Sequence, residues 1–174
     1  MAPPEAHRRF WHSTVVLVLF LISQGNLARI LSPLHPSFME MQFAFTPARF
    51  FQILADWGAE GVARYRHHFA FDLLHPLIFA ALGWVAVQTS PVFGGLEPKR
   101  ERLFRWLLPV AAGFDYLENS CQLKLLSVQH GTADWLVPVS ATCTTVKWSL
   151  AAIFTAVFIR QLFAFAGKRS TPPA

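Results

Sequence analysis

Asp115, Glu118 and Asn119 stand in the stretch 107-LLPVAAGFDYLEN-119, which is otherwise apolar enough to read as part of a membrane-spanning helix. Spacings of three and four residues put all three side chains on one helical face. A carboxylate at the centre of a bilayer costs about 3 kcal/mol or more, so it has to face a protein interior and find partners there. Two acids this close rarely both ionise in a low dielectric, and they titrate as a coupled pair. With a buried base alongside, such a pair suits general acid–base chemistry or proton transfer.

The rest of the chain offers those partners. Asp72 and His75 lie three apart at the start of another apolar run, with Pro76 loosening the backbone beside them. Asn26 and Arg29 fall in the second half of the first apolar run, and Lys147 near the middle of the last. The expected catalytic set is Asp115, Glu118 and Lys147, with Asp72, His75, Asn119, Asn26 and Arg29 lining a pocket in the outer half of the membrane. Two cations against three carboxylates leave one acid to be protonated, to pair with His75, or to hold a cation. D-x-x-H with D-x-x-E echoes the ligand spacing of bundle carboxylate sites, but a single histidine is thin and a nearby lysine repels a cation. No metal and no cofactor is expected. His35, His67, His68 and His130 read as loop or interface residues.

Composition sets the class. The 174 residues are 53% hydrophobic and 14% charged, with six Trp and 17 Phe, and the mean hydropathy is +0.37. These values describe a membrane protein of one domain. The net charge of +5 comes from basic residues at loops and termini, a topology signal and not a nucleic-acid stripe. Cys121 and Cys143 both fall inside apolar runs, where cysteine serves as a small hydrophobe. No serine–histidine–acid set, phosphate-cradling Gly-rich loop or HExxH is present.

The elements that must position the polar residues are four helices. Spans are expected at about 13–31, 68–88, 103–128 and 135–158, giving an all-α four-helix transmembrane bundle over 13–166. The first resembles a signal peptide, but Gln24, Asn26 and Arg29 stand where a cleavage site needs small residues, so it reads as retained. The long first connection opens with S-P-L-H-P and then offers Thr46 as N-cap and Pro47 as first helical residue. Phe50, Phe51, Leu54 and Trp57 follow at helical spacing, predicting a short amphipathic helix on the bundle or in the interface, a second short helix runs from Ala59 to Tyr65, and the long connection covers the pocket mouth. Residues 1–12 read as a cytoplasmic segment and 167–174 as a disordered cytoplasmic tail. Arg8, Arg9, Lys99, Arg100, Arg102, Arg105, Arg160, Lys168 and Arg169 fall on one side, which places both termini in the cytoplasm of a multi-pass cell-membrane protein.

The order of these features resembles an uncharacterised family of small four-span membrane proteins. The resemblance rests on Thr46 with Pro47, Leu54, Gly58, Gly61 and Tyr65; on Asp72 with Pro76; on Pro109, Asp115, Glu118 and Asn119; and on Lys147 with Trp148. It covers about residues 13–165 and implies a fold and a choice of residues, not a reaction.

Three functions remain open on these grounds. The cluster binds or acts on a lipid-like molecule in the outer half of the bilayer; or it is part of a proton or ion pathway, which with four spans requires a homo-oligomer; or its charges pair internally in a structural or accessory subunit. Membrane lipids are the expected surroundings, and nucleic acid is not an expected partner.

Overall fold

A computed structural model describes the backbone of residues 4–170 and the side chains of residues 11–167. The described chain is all-α, with six helices and a single 3-10 turn: α1 Pro4–Leu31, α2 Phe38–Gln42, α3 Pro47–Asp72, α4 His75–Thr89, the turn Pro91–Phe93, α5 Pro98–Ser127 and α6 Leu136–Ser170. The side chains of Arg8, Arg9, Lys168 and Arg169, on which part of the charge asymmetry rests, lie outside the described residues. α1 and α6 both run past the expected spans. The backbone of residues 167–170, expected to be disordered, is helical, and residues 171–174 lie outside the description.

Capping signals set the boundaries in the first connection. Ser37 and Glu40 form a capping box, each satisfying the backbone N–H of the other and starting the one-turn α2, an element beyond those expected in this connection. Thr46 caps α3 by accepting from the Arg49 N–H, and Pro47 follows it as anticipated. The two short helices expected beyond Pro47 are joined into α3 across a kink at Gly58, whose φ of 62° is open to glycine at little cost. The expected second span is also interrupted. α3 ends at Asp72, α4 begins at His75, and their axes are bent by 41°.

α1 packs on α4, α4 on α5 and α5 on α6. Gly83 allows α4 and α5 to approach so closely that a Cβ there would lie 2.8 Å from Leu108 Cβ. The first connection folds over one end of this row. Phe50, Ile53, Trp57, Tyr65 and Phe69 of α3 bury themselves with Leu34, Met41, Leu125 and Val137, so the amphipathic helix docks on the bundle by its apolar face.

Two described helical segments, Trp11–Leu31 and Leu136–Gly167, are long and apolar enough to cross a membrane, and the bent α3–α4 pair makes a third if it counts as one span. α5 is not among them. Its middle carries Asp115, Glu118, Asn119 and Gln122, all buried against neighbouring helices. A four-span bundle is thus finer than these helices establish by length and composition alone.

Candidate functional site

α5 and α6 run antiparallel, and their facing polar residues build the centre of the site. Lys147 Nζ lies 2.7 Å from Asp115 Oδ1 and 2.7 Å from Glu118 Oε2. The lysine therefore bridges two acids one turn apart on the opposing helix, which the Asp115–Glu118 spacing makes geometrically available. Glu118 is 0% exposed and Asp115 3%, so the three charges are screened by each other and not by water.

Amides complete the shell. Gln42, delivered by α2, donates through Nε2 to Glu118 Oε1 at 2.7 Å, and Gln122 donates to the same oxygen at 3.2 Å. Gln42 Oε1 in turn accepts from Trp148 Nε1 at 3.2 Å. The Tyr65 hydroxyl donates to Gln122 Oε1, so α3 is tied into the network as well. α2, α5 and α6 thus meet on one carboxylate, and α3 joins them through Gln122.

Asp72 forms the second half of the site. Its Oδ2 accepts from Asn119 Nδ2 at 2.8 Å and faces His68 Nε2 at 3.9 Å. His68 Nδ1 bonds the Tyr65 carbonyl, which fixes it as the protonated nitrogen and leaves Nε2 as the titrating one. Asp72 ends α3, and the Tyr116 hydroxyl donates to the Leu73 carbonyl at 2.6 Å at this break. His75 is buried by α1, where its Nδ1 lies 2.9 Å from Ser23 Oγ and its ring stacks on Phe20 at 5.7 Å.

Six of the eight residues singled out from sequence are therefore buried in or beside one polar core: Asp72, His75, Asp115, Glu118, Asn119 and Lys147. Asn26 and Arg29 are not part of it. They bond each other at 3.2 Å on α1, with Asn26 half-buried and Arg29 exposed. His68 departs from the reading in the opposite sense: His67 is exposed, but His68 is 1% exposed and belongs to the core. Gln42, Tyr65 and Gln122 were missed. Gln122 stands four residues beyond Glu118 and was legible by that spacing; Gln42 was not, since it arrives from a loop.

Two cavities are seen away from these residues, about 340 Å³ beside Ile30, Glu60, Ala63, Arg64 and His67, and about 290 Å³ beside Val87, Gln88, Ser90, Phe93 and Glu101. No group of three or more His, Cys, Asp or Glu among the described residues is arranged to hold a metal ion. The chain matches no family model, no curated protein and no solved structure.

Proposed function

We propose that this chain is a four-span cell-membrane protein whose buried acid–lysine–amide core holds and exchanges protons. In this reading α1, the bent α3–α4 pair, α5 and α6 cross the bilayer with both termini cytoplasmic. The apolar residues exposed on α1 and α6, among them Leu17, Leu21, Ile22, Ile153, Ile159 and Phe163, support lipid contact. α5 then crosses with its polar face hidden between α4 and α6.

One observation carries the proton reading: three buried carboxylates accompany one lysine. With Arg29 elsewhere, Lys147 bridges Asp115 and Glu118, and Asp72 feels it only at longer range. If all three acids were ionised and both histidines neutral, the core would carry two uncompensated negative charges out of reach of water. Burying bare charge costs several kcal/mol per ion, so the neutral arrangement holds two further protons on the acids or on His68 and His75. Asp115 and Glu118 already have Lys147. Asp72 has only a neutral amide and His68, so the exchanging proton belongs to the Asp72–His68 pair.

Chemistry on a lipid-like molecule is less well supported, because neither cavity is lined by Asp72, Asp115, Glu118 or Lys147. The proton reading is tested by infrared spectroscopy of the protein in lipid. Wild type should show a protonated-carboxyl band at pH 7 that weakens on raising the pH, and Asp72→Asn should remove it with the fold kept. A spectrum lacking that band, or one identical in Asp72→Asn, would refute the assignment.

A further inference from the structure

Two hydroxyl groups in this core make no hydrogen bond of full geometry among the described residues: Ser140 Oγ and Thr144 Oγ1, on residues 3% and 0% exposed, although Thr144 lies near enough to the Glu118 carboxylate for a loose contact. Their neighbours on α6 do not share this condition. Thr142 and Thr145 donate to the carbonyls of Pro138 and Ala141 at 2.7 and 2.8 Å, the usual refuge of a hydroxyl inside a helix. A buried polar atom without a well-formed hydrogen bond is costly, so two on successive turns of one helix face require an explanation.

Their place in the register supplies it. Lys147 faces Asp115 and Glu118, and stepping outward along the antiparallel pair brings Thr144 beside Glu118 and Ser140 level with Gln122. One turn further, Val137 and Leu125 meet in the apolar cluster and close the interface. Glu118 Oε2 faces the same strip, with Lys147 Nζ at 2.7 Å and the Thr144 hydroxyl near the carboxylate. Residues four apart on a helix have Cβ atoms about 5–6 Å apart. One water bonded to both hydroxyls at about 2.8 Å each spans that gap, and a buried water typically makes about three hydrogen bonds.

We infer that the α5–α6 interface binds a structural water between Ser140, Thr144 and Glu118 Oε2, which extends the proton-holding core one turn toward the 128–135 connection. The inference rests on the proton reading for its function but not for its existence. Hydroxyls and water both donate and accept, so this strip can pass a proton to or from Glu118, which the valine or alanine equivalents cannot. A cation at the same oxygens is disfavoured by Lys147 Nζ, already 2.7 Å from Glu118 Oε2.

Water-edited solid-state NMR on the protein in lipid tests this directly. Magnetisation from water should reach Ser140 and Thr144 Cβ several-fold faster than Ala141 and Val137 Cβ, which are equally buried at 1% exposure. Thr144→Val should abolish the transfer to Ser140 while leaving Tm unchanged or raised, since a hydroxyl without a well-formed hydrogen bond is removed. Build-up at Ser140 and Thr144 as slow as at Ala141 overturns the water site, as does a transfer to Ser140 that Thr144→Val leaves intact. The infrared band of Asp72 is independent of these signals, so the water site and the proton reading can fail separately.

Discussion

Replacing Lys147 with methionine removes the single cation from a core that holds Asp115 and Glu118 at 2.7 Å from it. The cost has a ceiling set by the acids themselves, because each orphaned carboxylate can be relieved by taking up a proton. At about 1.36 kcal/mol per pH unit, protonating a glutamate of ordinary value 4.5 at pH 7 costs about 3.4 kcal/mol. An aspartate of ordinary value 3.8 costs about 4.4 kcal/mol by the same conversion. Losing one partner of a buried pair typically costs about 3–5 kcal/mol, within that ceiling. Lys147→Met should therefore lower the melting temperature in detergent by about 10 °C at pH 7, at about 2–4 °C per kcal/mol for a chain of this size. Because the relief is protonation, the deficit should shrink as the pH is lowered toward 5. The combined variant Asp115→Asn, Glu118→Gln, Lys147→Met keeps the shape and the amide hydrogen bonds without any charge, and it should return to within about 1 kcal/mol of wild type. A Lys147→Met protein melting within 2 °C of wild type at pH 7, or a combined variant as unstable as the single one, would refute the internally compensated core.

Gly83→Ala should destabilise by about 1–3 kcal/mol, since its new Cβ would meet Leu108 Cβ at 2.8 Å. Leu108→Ala removes the contacts at Leu108 Cδ1 and Cγ, 2.8 and 2.9 Å, but keeps that at Cβ, so it should rescue only in part, and a thermal melt showing no rescue at all would place the clash elsewhere. Glu40 holds the capping box of α2 and pairs with Arg49 at 2.7 Å, and the Ser37 backbone N–H is the first cause holding its carboxyl below the ordinary 4.5. Such a group contributes stability above its unfolded value and loses it as the pH falls through the lower folded one. Amide exchange at residues 38–42 should accordingly quicken below about pH 4.5, after correction for intrinsic rates, and Glu40→Gln should show the quickened rate at neutral pH. Unchanged exchange in Glu40→Gln would mean that Met41 and Gln42 hold α2 in place without it.

Much of the helix inventory was legible from local chemistry. Apolar runs, Thr46 with Pro47 and the glycine at 58 are short-range signals, and they set α1, the start of α3 and its kink. The Asp115–Glu118–Asn119 face was legible for the same reason, since helical periodicity fixes which residues share a side. Lys147 followed from the cost of leaving those acids unpaired in an apolar run. Asn26 and Arg29 failed because polarity in a span says that a residue needs a partner, not which one. Here they satisfy each other across one turn of α1.

What the sequence by itself determined, then, is most of the long apolar helical runs and the polar face that one of them must hide, because both follow from spacing within about one turn. Tertiary structure alone decided the rest. Gln42 reaches Glu118 across 76 residues and Tyr65 reaches Gln122 across 57, and nothing in the intervening chain encodes those meetings. The bend between Asp72 and His75 likewise depends on what α3 and α4 pack against. The charge balance of the core, on which its proposed chemistry rests, was settled only when packing turned Arg29 outward and His68 inward.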